Sequence, residues 1–297
     1  MPSETRAGEW LPIREVTRLT GVHPVTLRAW ERRYGLIVPH RTAKGHRLYD
    51  AQHVARIQQV LTWLNRGVAV SQVKALLEDA QEARPSVEND WQRLRETLIG
   101  AIGKLAERQM DDAFNQAMAL YPPATLYEQL LLPLLEHLEQ RWQGQFGAQM
   151  ERVFFQSWLR SKLGARIYHN NRQVSGAPVL LVNQSDLVMD PMLWIGAWLV
   201  SSSDCPVQVL DWPLPAGELA LACDSLGARA LLLFVSKSLS LASLPKLLAG
   251  CHCQKLLVGP AVRIHGAALR TATNTIDNLQ LVDDPLQAQQ CLLQSHV

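Results

Sequence analysis

Residues 13–49 read IREVTRLTGVHPVTLRAWERRYGLIVPHRTAKGHRLY. Ile13, Val16 and Leu19 recur at helical spacing, which predicts a short helix with one apolar face, and Gly21 supplies the turn that ends it. His23 then stands where an N-cap belongs. Pro24 follows at the first helical position, where its missing N–H costs nothing. Leu27, Trp30 and Tyr34 pack one face of this second helix onto the first. The opposite face carries Val25, Arg28, Ala29 and Arg32, with Arg33 beside it. Small and cationic groups of this kind suit a major groove lined with base edges and phosphates.

The segment that follows adds a second basic grip. Arg41, Lys44, His46 and Arg47 surround the turn Ala43-Lys44-Gly45, and Gly45 provides the positive φ of a short hairpin loop. Phosphate contacts position a protein on DNA, whereas sequence is read by the few side chains that reach base edges. The expected division places Thr26, Arg28 and Arg32 near bases. Arg33, Arg41, Lys44, Arg47 and Tyr49 fall mainly on phosphates, and His46 is a further DNA-contact candidate.

The run LRAWERRYGL, the pattern P-x-R-T-x-x-G-H-R-L-Y and the later RIQQV resemble the N-terminal domain of the MerR family of transcription regulators. The resemblance spans about seventy residues, from Trp10 to about Asp79. It implies two further helices, over residues 52–65 with Val54, Ile57, Leu61 and Leu64 inward, and over residues 70–78 with Val73 and Leu76 inward.

A chain of 297 residues accommodates two or three domains. Its net charge of +2 conceals an asymmetry. Residues 10–75 hold eleven Lys/Arg against three Asp/Glu, and residues 169–297 hold seven against nine. The positive field is therefore confined to the amino-terminal part, and the rest has no electrostatic reason to touch nucleic acid. Five scattered cysteines fit reduced thiols better than a disulfide framework, and no apolar run of membrane-spanning length occurs. These features predict a cytoplasmic protein with no membrane partner.

Four segments are expected: a winged helix-turn-helix over 1–80, a polar linker over 81–90, a helical bundle over 91–172 and an α/β domain over 173–297. Bundle spacing is seen in Trp91, Leu94 and Leu98 and in Phe154, Trp158, Leu159 and Leu163, with breaks at Pro122-Pro123 and near Gly144 and Gly147. Beyond residue 173, strand-length apolar runs at 179–182, 207–210, 230–235, 255–258 and 279–282 alternate with amphipathic stretches. That rhythm predicts a doubly wound parallel sheet of flavodoxin-like order, and an α/β class overall. Any pocket would lie outside the strand carboxyl ends, near residues 183–191, 211–215, 236–240 and 259–262.

A winged helix followed by a bundle and a doubly wound domain is similar to the cobalamin-binding photoreceptor repressors, a branch of the MerR family. The resemblance implies an axial His from an E-x-H-x-x-G motif after the first strand, and a W-x9-E-H motif over the upper face of the corrin. Neither motif is present. No His lies between His169 and His252, and counting from Trp142 places Arg152-Val153 where Glu-His would stand. Glu136-His137 precedes that Trp and lies on another turn. Ser236-Lys237-Ser238 keeps part of a Ser-x-Leu element, and Gly259-Pro260 keeps one Gly of a pair. The pattern, with Leu193-Trp194 and Trp198, is similar to the MlrA-type regulators, a branch without the cofactor whose members activate transcription; no cofactor is expected.

Other chemistry is thin. Cys251-His252-Cys253 are adjacent and cannot easily converge on one ion, so buried thiols beside a surface His are expected there. Asp186, Asp190 and Asp211 fall at predicted strand ends, and no set of nucleophile, acid and base points to an enzyme. Trp194, Trp198 and Trp212 read either as core or as an aromatic patch that stacks a ligand or docks a protein. The expected partner is promoter DNA with an imperfect palindrome, read by a homo-oligomer, with RNA polymerase engaged indirectly. The C-terminal half is then either a small-molecule sensor or an oligomerisation module answering to a signalling protein.

Overall fold

The computed structural model describes residues 10–78, 87–144, 146–235, 241–273 and 276–294. At the amino end Leu11–Pro12 forms a short strand, β1, and Ile13–Thr20 the first helix, α1. Gly21, at φ 70°, closes α1 in the left-handed conformation that lacks a Cβ penalty. The imidazole of His23 accepts a hydrogen bond from Val25 N–H at 3.3 Å and so caps α2, Pro24–Ala29. This helix continues into one wider π turn, Trp30–Tyr34, which ends at Gly35. Strands β2 (His40–Arg41) and β3 (Arg47–Tyr49) make the hairpin, and β1 adds to its other side in the antiparallel order β1-β3-β2. Leu11 thereby faces Tyr49, and Arg41 faces Arg47. Helices α3 (Ala51–Asn65) and α4 (Val70–Glu78) follow as expected, α3 starting from a reciprocal cap between Asp50 and His53.

Four helical rods come next: α5 (Val87–Gly103), α6 (Glu107–Leu120), the continuous run of α7 (Pro123–Leu126), a π turn and α8 (Leu132–Arg141), and α9 (Ala148–Asn171). Helix α5 begins inside the stretch read as linker, and residues 81–86 of that stretch lie outside the described residues. The chain divides into two compact units, Met1–Arg152 and Val153–Val297.

In the first unit the winged helix is packed onto the bundle. The Trp91 indole N–H donates to Gly67 O at 2.8 Å, and its ring lies 4.4 Å from that of Tyr121. Val70 N–H donates to the Tyr121 hydroxyl at 3.3 Å, and the Thr125 hydroxyl donates to Asn65 Oδ1 at 3.0 Å. Burial pushes the Tyr121 phenol up to about 12. These three buried donors each find an acceptor, where an unpaired one would cost about 1–3 kcal/mol.

The second unit is a five-stranded parallel sheet, β4 (Val179–Asn183), β5 (Val207–Leu210), β6 (Ala230–Phe234), β7 (Gln254–Val258) and β8 (Leu279–Val282). Their spatial order is β5-β4-β6-β7-β8, the flavodoxin-like arrangement. Helices α10 (Pro191–Ser201), α11 (Ala216–Leu226), α12 (Leu244–Leu248), α13 (Pro260–Thr273) and α14 (Pro285–Gln294) connect and cover it. Leu180, Val182, Leu231, Leu233 and Leu257 form one core face with residues of α11, α12 and α13. The other face meets α10 and α14. Gly196 of α10 permits that contact, because a Cβ there would lie 2.8 Å from the ring of Phe234.

Candidate nucleic-acid interface

The side chains of α2 and its π turn sort into two sets. Leu27 and Trp30 are buried, Tyr34 is half-buried, and α2 packs against α6. Val25, Arg28, Arg32 and Arg33 are exposed. Val25, Arg28 and Arg32 recur at i, i+3 and i+7, one stripe along the helix, so the free face is cationic as the sequence predicts, except that Ala29, expected on it, is buried on the side toward the core. Thr26 does not belong to it. It is 3% exposed, on the covered side, and in this conformation cannot reach a base edge.

The hairpin forms as its turn chemistry requires. Thr42 N–H donates to His46 O at 2.9 Å, Gly45 N–H to Thr42 O at 2.8 Å, and Gly45 takes φ 80°. Lys44 and His46 are exposed at the tip. Tyr49 departs from expectation. It is 1% exposed because β3 lies between β1 and β2, which turns its ring into the core and away from any phosphate.

A residue that the sequence reading passed over joins helix and wing. The Glu31 carboxylate accepts Arg41 Nη2 at 2.6 Å on Oε1 and Arg47 Nε at 2.5 Å on Oε2. Burial alone would raise this carboxyl, but the hydrogen bonds and charges of Arg47 and Arg41 outweigh it and hold it below the usual carboxylate value. The fork fixes the wing against the recognition helix. It also neutralises part of the cationic surface, leaving Arg28, Arg32, Arg33 and Lys44 without a side-chain ion pair among the described residues. The signal was in the sequence: Glu31 is the one acid between Glu15 and Asp50.

At the sheet's carboxyl end the second unit satisfies itself. Asn183 Nδ2 donates to Leu187 O at 2.9 Å and to Asp211 O at 3.2 Å, while Gln184 exchanges hydrogen bonds with the Leu214 backbone. Asp211 takes the Trp194 indole N–H at 3.1 Å and Arg160 Nε at 2.8 Å, and the Arg160 guanidinium lies 5.5 Å over the Trp194 ring. Burial raises the Asp211 carboxyl, with Trp194 and Arg160 opposing. Asp190 is buried as the N-cap of α10, its Oδ1 accepting from Met192 N–H at 2.9 Å, and Asp186 is exposed. The three tryptophans differ in exposure: Trp198 is buried, Trp194 half-buried and Trp212 65% exposed. Gly259 sits at φ 125° with its Cβ position 2.5 Å from Val235 O, so the chain there is closed against β6. Residues 236–240, one predicted pocket segment, lie outside the described residues.

In the first unit, Trp142 donates to Glu151 Oε2 at 3.3 Å, and Arg141 grips the same carboxylate at 3.0 and 2.8 Å. Arg152 stacks 5.7 Å from the Trp142 ring. The one carboxylate near the W-x9-E-H spacing is thus already used, one residue early. These residues do not fit a corrinoid held through an axial imidazole: the sequence has no His between His169 and His252, and among the described residues Asn183, Gln184, Trp194, Asp211 and Arg160 are taken up by hydrogen bonds within the unit. The Cys251 and Cys253 thiols are buried and half-buried, with His252 exposed between them, and no group of three or more His, Cys, Asp or Glu among the described residues could hold a metal ion. No helix among the described residues is long and apolar enough to cross a membrane.

Known proteins resemble this chain in two stretches. The MerR HTH family regulatory protein profile matches residues 11–80, and a B12 binding domain profile matches residues 94–167. The HTH-type transcriptional regulator MlrA of Escherichia coli is 31% identical over 205 residues, 67% of this chain and 78% of that protein. The HTH-type transcriptional repressor CarH of Myxococcus xanthus is 32% identical over 145 residues, covering 44% of this chain and 47% of the repressor. The HTH-type transcriptional activator TipA of Streptomyces coelicolor is 35% identical over 108 residues, 36% of this chain and 40% of the activator. With a basic reading helix, a wing and a match that runs far past the DNA-binding domain, the chain belongs to the MerR family of transcriptional regulators and carries a B12-binding-type region behind its helix-turn-helix.

Proposed function

We propose that the protein activates transcription as a homodimer on an imperfectly palindromic promoter, without cobalamin, and that its C-terminal half serves oligomerisation or control by a partner protein. The observation that carries the reading is the outward stripe of Val25, Arg28 and Arg32 on a helix whose other side is buried. A two-fold pair of such helices matches half-sites one helical turn apart, and bending or untwisting of the spacer brings the polymerase elements into register. Arg28 and Arg32 meet base edges; Arg33, Lys44 and His46 meet the backbone, with Arg41 and Arg47 held by Glu31. Absence of the cofactor is supported by the mutual pairing of Asn183, Asp211, Trp194 and Arg160 where a corrinoid would need an imidazole and open space.

A genome-wide map of bound sites, followed by transcription with purified polymerase on the strongest one, tests the reading. Increased transcript from colourless protein supports it; reduced transcript, or protein that leaves cells with a tightly held corrinoid, contradicts it. The match of residues 94–167 to a B12 binding domain and the likeness to the repressor CarH favour a second reading, a repressor that senses a small molecule. That reading requires a ligand that raises the thermal midpoint of the purified protein.

A further inference from the structure

Three of the five cysteines, distant in sequence, meet on one side of the sheet. Cys223 lies in the last turns of α11. Cys251 and Cys253 lie on the segment that enters β7, where the two-residue period of extended chain puts both sulfurs on the side of α11 and leaves His252 exposed. Gly250, at φ 80°, brings this segment close, its Cβ position 3.2 Å from the Ala220 Cβ, one turn before Cys223. Cys223 and Cys251 belong to one buried core and Cys253 packs against it, so the three thiols interact. Beneath them is a buried cation: Lys255 is 4% exposed, and its Nζ donates to Cys251 O at 2.8 Å and Cys253 O at 3.2 Å. A cleft of about 350 Å³ lined by Cys251, His252 and Lys255 lies beside the cluster, and Cys253, outside that lining, is half-buried.

We propose that Cys223 and Cys253 form a peroxide-responsive thiol pair, in which Cys253 is oxidised first and Cys223 closes an intramolecular disulfide between α11 and the entry to β7. The Cys253 thiolate attacks one oxygen of hydrogen peroxide, the O–O bond breaks, and hydroxide leaves and takes a proton, giving a sulfenic acid. The Cys223 sulfur then attacks the sulfenic sulfur, gives up its proton, and expels hydroxide as water. Two thiols and one peroxide become one disulfide and two waters.

The order of attack follows from the surroundings. Hydrogen bonding from Cys223, with Lys255 assisting and burial and Asp224 opposing, brings the Cys253 thiol down to about 7. Cys251 is lowered too, but it is buried, whereas Cys253 is half-buried. Cys223 is raised and serves as the protonated partner that attacks second. Cys205 has a cation beside it in Arg229, yet burial leaves its thiol raised, so it does not compete.

The test is peptide mass mapping of the full-length protein after brief hydrogen peroxide treatment and alkylation. The expected product is a Cys223–Cys253 link that has lost two hydrogens, is reversed by dithiothreitol, and leaves Cys205 and Cys291 alkylable. Cys223→Ser and Cys253→Ser remove it and Cys251→Ser keeps it, while the alkylation rate of Cys253 in untreated protein rises with pH through about 7. Five thiols that remain equally alkylable after peroxide, a link that requires Cys251, a link between two chains, or zinc retained by the three thiols would each overturn the proposal.

Discussion

The indole N–H of Trp30 donates to the backbone carbonyl of Leu120 at 2.8 Å, joining the recognition helix to the last residue of α6 across ninety positions of sequence. The final carbonyls of a helix have no partner within it, and Trp30, fully buried, supplies one. The helix proposed to meet DNA is therefore held directly by the bundle behind it. Any change in the bundle that moves α6 reaches Trp30 without crossing the segment between α4 and α5.

Replacing this indole while keeping an aromatic ring tests the link. Trp30→Phe leaves the Leu120 carbonyl buried and unpaired, which costs about 1–3 kcal/mol. The urea midpoint of the variant should fall accordingly, with DNA affinity lowered through looser placement of α2. A midpoint equal to that of the parent protein would show that the hydrogen bond holds nothing.

Glu31 predicts both a pH dependence and a charge effect. Its folded pKa lies below the ordinary 4.5, so the fork contributes stability that is present above that value and lost as pH falls through the depressed one. Below this point Arg41 and Arg47 are released and the wing loosens. Glu31→Gln should reproduce the effect at neutral pH. With one negative charge gone from the cationic face, binding to random DNA strengthens and its salt dependence steepens, while discrimination between specific and random DNA narrows. Unchanged discrimination would mean that the fork does not orient the wing.

Gly196→Ala examines the packing of the second unit. The new Cβ would lie 2.8 Å from Phe234 Cζ and 3.4 Å from the Pro285 Cβ, and Phe234 is fully buried and has nowhere to move. Overpacking of this kind costs about 1–3 kcal/mol. The gain from replacing a helical Gly returns about 0.5–1 kcal/mol. A lower thermal midpoint is expected, read from the second unit's transition; a raised one would show that α10 can slide away from the sheet.

Local signals carried most of the fold. Gly21, His23-Pro24 and Gly45 act within a few residues of themselves, and each was legible because turn and cap chemistry is short-ranged. The strand rhythm of the second unit was equally clear, since β4 and β6 are buried on both faces and read as continuous apolar runs. What sequence reasoning missed is long-range. Thr26 looks like a reading residue by its position, yet α2 packs against α6 and Thr26 is on the covered side. Tyr49 looks like a phosphate ligand beside Arg47, yet the added strand β1 makes β3 central and turns the ring inward. Cys223 has no local relation to Cys251 and Cys253; the topology alone brings them together.

The most direct measurement of the central claim is competition binding on one promoter fragment and on bulk random DNA, across a salt series, for the parent protein and for Arg28→Ala, Arg32→Ala and Lys44→Ala. If Arg28 and Arg32 read bases, each loss weakens promoter binding by about 1–3 kcal/mol and random binding far less. Lys44→Ala weakens both alike and flattens the salt slope by about one unit. Equal losses on both DNAs for all three variants, or a parent protein that does not distinguish the promoter from competitor, would contradict the account.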